Sequence, residues 1–141
     1  MSELLLSARA VTKAYALGKR SLEVLRGVSL EVQRGEFVAL RGASGAGKST
    51  LLHLFGGLDS PNAGEIWFAG GNIAHLTQIE LARFRNLKVG FIFQAYHLLP
   101  ELTVVENVTL AAMIRLGRFG FRSRKAETIQ EAEGLLETLG L

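Results

Sequence analysis

Gly42-Ala43-Ser44-Gly45-Ala46-Gly47-Lys48-Ser49-Thr50 is the stretch from which the rest of this chain is read. It satisfies G-x-x-x-x-G-K-[ST], the pattern of a phosphate-binding loop. The glycines let the backbone turn tightly, at positive φ where needed, so that successive amides face inward and form a nest for anionic oxygens. Lys48 adds a full positive charge, and Ser49 a hydroxyl of the kind Mg²⁺ accepts as a ligand. The flanks supply the expected context. Apolar Phe37-Val38-Ala39-Leu40 reads as a strand entering the loop, and the residues from Ser49 to Phe55 have helical spacing. Such a helix aims its positive N-terminal end at the same anion.

Outward from the loop, the upstream chain reads as strands. Residues 4–11 are β-compatible, and Val28-Ser29-Leu30-Glu31-Val32 alternates with period two, as a half-buried strand does. Arg34-Gly35 is a turn, and residues 37–40 form a short apolar run of the kind buried on both faces of a sheet. Downstream, Gly56-Gly57 stops the loop helix, Ser60-Pro61-Asn62-Ala63-Gly64 is a turn cluster, and residues 65–68 make a short strand closed by Gly70-Gly71. Thr77 caps a helix carrying Ile79, Leu81, Ala82 and Phe84. Val89-Gly90-Phe91-Ile92-Phe93 is a second buried-type strand, ending at Gln94. Thr103 with Glu106 fits a capping box, and a last amphipathic helix over residues 123–139 stops at Gly140. The class is α/β, with an antiparallel β part at the start.

Composition agrees. The chain has 141 residues, 48% apolar and 21% charged, which is enough for one domain with a core and unlike a disordered segment. It contains no cysteine, so disulfides and thiolate metal sites are excluded. The N-terminus lacks a basic stretch followed by an apolar run, and no apolar run reaches the roughly 18–20 residues of a membrane span. Both point to a chain that is soluble, or that meets a membrane only through a partner. The net charge of +3 is concentrated at Arg115, Arg118, Arg122, Arg124 and Lys125. A solvated loop between helices is favoured there over a nucleic-acid patch, because only Phe119 and Phe121 interleave with the charges. His53, His75 and His97 do not pair at metal-binding spacing.

A phosphate loop alone is shared by kinases, GTPases, helicases and transporters. Three further stretches narrow the field: Val11-Thr12-Lys13-Ala14-Tyr15, Val24-Leu25-Arg26-Gly27-Val28-Ser29-Leu30, and Gly35-Glu36-Phe37-Val38-Ala39-Leu40. Together with Leu51-Leu52-His53-Leu54-Phe55-Gly56-Gly57-Leu58-Asp59-Ser60-Pro61 they resemble the opening of ABC-transporter ATPase domains. Val89-Gly90-Phe91-Ile92-Phe93-Gln94 resembles the strand leading into the Q-loop of that family. The segment from His97 to Val108 is similar to the lipoprotein-releasing ATPases within it, with macrolide-exporter and cell-division ATPases as near relatives. The resemblance covers nearly the whole chain. It implies a P-loop NTPase core of RecA-like type with an N-terminal antiparallel β part. Residues 1–141 would then be a partial nucleotide-binding domain, with the β-subdomain and P-loop core in residues 1–95. The Q-loop and the start of the helical subdomain would fill residues 96–141.

The same resemblance implies roles. ATP and Mg²⁺ would be held by residues 42–50, with Lys48 on the β- and γ-phosphates and Ser49 on the metal. Tyr15 would stack on adenine. Gln94 would join the metal and the attacking water. The segment after Gln94 would touch transmembrane permease subunits, and a second ATPase subunit would complete a homodimer at the cytoplasmic face of the bacterial inner membrane. No nucleic-acid partner is expected. Arg41 departs from the apolar residue that relatives often carry before the loop. The larger departure lies elsewhere: Asp59 is the sole aspartate, no apolar run leads into it, and no Leu-Ser-Gly-Gly occurs. The chain thus has neither Walker B nor signature, reads as an N-terminal part, and is expected to bind ATP without hydrolysing it. A non-catalytic ATP-binding module, or the ATPase of a macrolide-exporter or cell-division type system, is the alternative. A small kinase would need an acidic metal site that the lone Asp59 does not provide.

Overall fold

The structure is a computed structural model and describes residues 3–141. It divides into two units, Met1–Arg85 and Asn86–Leu141.

The first unit is built on a hairpin of two 14-residue strands, β1 (Leu4–Leu17) and β2 (Arg20–Gln33). Gly18, at φ 60, occupies the first of the two turn positions between them, where a tight hairpin turn of the right hand requires positive φ. The strands expected at residues 4–11, from β-compatible residues, and at 28–32, from alternation, are thus parts of longer ones. β3 (Ala63–Phe68) and β4 (Gly71–Asn72) complete an antiparallel sheet in the order β2-β1-β3-β4. Ala8, Val11, Leu25 and Ile66 from this sheet bury against Leu51 and Leu54 of helix α1 (Lys48–Phe55). Eight residues are too few for a helix to persist alone in water. The burial of two leucines, at about 1.5–3 kcal/mol each, is what fixes α1 on the sheet.

α1 ends in a Schellman turn. Gly57 has φ 66, its amide donates to Leu54 O (3.1 Å), and the Leu58 amide donates to His53 O (2.8 Å). Helix α2 (Gln78–Lys88) starts at Thr77, whose amide and hydroxyl both donate to the Glu80 carboxylate (2.8 and 2.7 Å). Its Phe84 ring meets Phe68 edge-on at 5.1 Å.

The second unit holds α3 (Val104–Ser123) and α4 (Lys125–Thr138), which pack together; Thr109 of α3 and Thr128 and Ala132 of α4 are buried. The Thr103–Glu106 capping box is present with both of its hydrogen bonds. Asn107 clips the preceding loop to the helix. Its side chain donates to Leu99 O (3.1 Å) and Leu102 O (3.2 Å) and accepts from the Leu99 amide (2.9 Å).

Three expectations are corrected. Residues 37–40 and 89–93 are not strands: neither run pairs with another strand among the described residues, and Phe37 and Ile92 are almost wholly exposed. An apolar run becomes a buried strand only where neighbours supply hydrogen bonds and cover both faces. The basic cluster is not a loop either. Arg115, Arg118 and Arg122 lie on α3, which is kinked at Gly117 (φ 66, ψ 175), and Lys125 opens α4. Helical spacing was masked there by the arginines and by the glycines at 117 and 120.

Candidate phosphate-binding site

The loop of residues 42–47 leads from an exposed, irregular segment into the first turn of α1. Gly47 is the N-cap and adopts φ 85, ψ 7, in the left-handed region. No side chain caps this helix end, and no acidic residue sits in its first turn. The first amides of a helix have no partner within it. Here they face outward with the positive end of the helix dipole and nothing of the protein's own to satisfy them by side chain. A cavity of about 380 Å³ lies in front of them, lined by Ser44, Gly45, Ala46, Gly47, Lys48, Ser49 and Thr50. That volume falls within the usual range of about 300–1,000 Å³ for small-molecule sites.

Lys48 folds back across the loop. Its ammonium donates to Gly42 O (2.9 Å) and Ala43 O (2.7 Å), which brings its charge over the same cradle. The Ala46 amide donates to Ala43 O (3.2 Å), which tightens the loop. Ser49 is exposed, so its hydroxyl is open to a ligand. Gly47 is buried and cannot carry a side chain: a Cβ there would lie 2.7 Å from Leu25 Cδ2 and 3.1 Å from both Val24 Cγ1 and Val24 O. The loop therefore rests directly on β2.

Two further residues line the cavity that the motif does not announce, Leu22 and Val24 of β2. Leu22 is paired in register with Tyr15 of β1, so the two side chains project from the same face of the hairpin. Tyr15 thus shares the hairpin face from which Leu22 reaches the cavity, with over a third of its surface exposed. The loop and the Tyr15 hairpin belong to one unit; Gln94 belongs to the other. It is exposed and lies in a bend after Phe91-Ile92-Phe93, where the Phe91 and Phe93 rings stack at 5.3 Å. His97 packs edge-on against Phe93 at 4.8 Å, as a packing residue would. Among the described residues no group of three or more His, Asp or Glu is placed to hold a metal ion. No helix of the described residues is long and apolar enough to cross a membrane.

Sheet, glycine-rich loop and helix together form a P-loop arrangement. The ABC transporter family pattern matches residues 25–141, and the chain belongs to that family. It is 48% identical over 137 residues to the lipoprotein-releasing system ATP-binding protein LolD of Myxococcus xanthus, covering 97% of this chain and 58% of that one. The LolD of Saccharophagus degradans is 42% identical over 141 residues, the whole of this chain and 59% of its own. The chain thus spans somewhat over half the length of the curated relatives it matches. Among solved structures, the ATP-binding cassette MJ0796, a dimer in a post-hydrolysis state bound to ADP and Pi, superposes with a TM-score of 0.84 at 35% identity. The match covers 97% of this chain and 58% of that one.

Proposed function

We propose that this chain forms the nucleotide cradle of a LolD-type ABC transporter ATPase. The observation that carries the reading is the uncapped first turn of α1, free of acidic residues, with Lys48 drawn across it by the Gly42 and Ala43 carbonyls. On this reading, the amides of residues 45–50 bind phosphate oxygens. Lys48 moves from its carbonyls to the β- and γ-phosphates, and Tyr15 offers its ring to adenine. The cradle offers Mg²⁺ one ligand of suitable chemistry: Ser49 presents an exposed hydroxyl. When bound, the metal would neutralise phosphate charge.

The whole protein's work follows from its similarity to the lipoprotein-releasing relatives. Two such subunits, docked on permease subunits through the segment after Gln94 at the inner face of the membrane, would couple ATP hydrolysis to lipoprotein release. The dimeric state of the MJ0796 cassette supports the pairing. Within these 141 residues the sole aspartate, Asp59, is already engaged by Lys13 and Tyr15, so no free aspartate stands by to organise hydrolysis. Titration of the chain with MgATP tests the cradle. Saturable binding that Lys48→Ala weakens is expected, and binding indifferent to that change would overturn it.

A further inference from the structure

Asp59 stands 44 residues from Tyr15 in sequence, yet it accepts a hydrogen bond from the Tyr15 hydroxyl through Oδ2 at 2.9 Å. Its other oxygen, Oδ1, accepts from Lys13 Nζ at 2.6 Å and from the Ser60 amide at 2.7 Å. Lys13 is nine-tenths buried, although it is a charged residue on a strand. Its ammonium also donates to Ser60 O (2.7 Å) and lies 5.0 Å from the centre of the Tyr15 ring. Burial pushes the Asp59 carboxyl up, but hydrogen bonds from Lys13, the Ser60 amide and the Tyr15 hydroxyl outweigh it, so the group is held below the ordinary carboxylate range. Asn62 extends the attachment. It accepts from the Ala14 amide at 2.6 Å through its side chain, and its own amide donates to Thr12 O at 2.9 Å.

The place of Asp59 in the chain gives this cluster its meaning. α1 begins at the phosphate loop and ends in the Schellman turn at Gly57, which delivers the chain to Asp59 two residues later. One short helix therefore ties both features: its first turn faces the cavity, and its exit grips the tyrosine. A tyrosine free to rotate about two torsions would lose that freedom on stacking. Bonded at the hydroxyl and flanked by Lys13, the ring is fixed beforehand. Its bound edge and its proximity to a cation leave a face to offer an aromatic base.

We infer that Asp59 is a positioning residue for base recognition: it fixes the Tyr15 ring at a set distance from the phosphate loop, so that adenine and phosphates are read together. The inference rests on Tyr15 being the adenine contact. It assigns Asp59 a role in holding nucleotide that is separate from metal binding.

The experiment compares MgATP with magnesium tripolyphosphate, which engages the loop but has no base. Wild type, Tyr15→Ala, Tyr15→Phe and Asp59→Asn are titrated with each, and far-UV circular dichroism checks folding. Asp59→Asn is expected to weaken MgATP by about threefold to tenfold, the worth of one hydrogen bond, while tripolyphosphate affinity stays unchanged. Tyr15→Phe keeps the ring and the Lys13–Asp59 pair and loses only the bridge. It should lower MgATP affinity by a similar factor, and Asp59→Asn added to it should cost little more. If Tyr15→Ala selectively loses MgATP but Asp59→Asn and Tyr15→Phe bind both ligands as wild type does, the inference is overturned and the tyrosine contact stands. If Asp59→Asn loses both ligands equally, Asp59 merely supports the fold, and the inference is again overturned. A Tyr15→Ala protein with full MgATP affinity removes the adenine contact itself, and the inference with it.

Discussion

Gly47 and Leu25 leave no space between them: a Cβ on the glycine would stand 2.7 Å from Leu25 Cδ2. Gly47 is also at φ 85, where any other residue is strained. Gly47→Ala is therefore expected to cost about 1–2 kcal/mol in backbone strain, with overpacking of a similar size beside it. Because Leu25 belongs to the core, the change should lower thermal stability and abolish MgATP binding together. Gly45→Ala meets no atom within 4 Å and, at φ 79, should show the strain alone. Calorimetric unfolding of the two variants separates strain from collision.

On the proposed reading, Lys48→Ala should cost MgATP a charge-assisted contact to phosphate, worth on the order of 1.5–3 kcal/mol. It also frees the Gly42 and Ala43 carbonyls from their donor, so the loop should become more mobile before any ligand arrives. Titration with a fluorescent ATP analogue measures the first effect, and hydrogen exchange over residues 42–47 the second. Unchanged affinity would remove Lys48 from the site.

Binding and turnover should separate in these 141 residues. Phosphoryl transfer to water needs an oriented nucleophile and dispersed charge on the γ-phosphate. The described glutamates after Gln94 are exposed, Glu106 is committed to its capping box, and Glu127 pairs with Arg124 at 2.9 Å. Phosphate release at background level is expected even with Mg²⁺. Steady release that vanishes with Lys48→Ala would require a catalytic base that none of these glutamates supplies.

At the start of α3, the amide and then the hydroxyl of Thr103 hold the Glu106 carboxyl below the ordinary glutamate range. A carboxyl lowered on folding adds stability that is present above its unfolded pKa and lost as pH falls through the lowered folded value. Protection of the first amides of α3 should therefore fall in acid, below the usual glutamate pKa. Glu106→Gln should flatten that dependence, and Thr103→Ala should cost the helix about 1 kcal/mol at neutral pH. Amide exchange followed by NMR across pH 3–7 checks both; retained acid sensitivity in Glu106→Gln would assign the effect elsewhere.

What was legible in the sequence was local chemistry. The loop motif, the Gly56-Gly57 stop, the Thr103–Glu106 box and the half-buried alternation at residues 28–32 depend on neighbours within a few positions, and each stands as read. Residues 37–40 and 89–93 were misread because an apolar run announces burial but not what buries it. The Lys13–Asp59–Tyr15 cluster was missed for another reason. Its members meet only through the Schellman turn and the strand register, over 44 to 46 residues. A signal existed in retrospect. Lys13 and Tyr15, two apart on one strand, share a face, and the chain's lone aspartate follows directly on a helix stop.

The bare runs at residues 37–40 and 89–93 also govern how the chain behaves in a tube. Val89-Gly90-Phe91-Ile92-Phe93 is uncharged, free of proline and rich in residues that favour extended backbone, with Ile92 wholly open to solvent. Unpaired backbone of that composition is a template on which another chain can add as a strand. Self-association through such a run would set how far the chain can be concentrated. Concentrating it for the assays above will favour self-association, which a rise in light scattering with protein concentration should register.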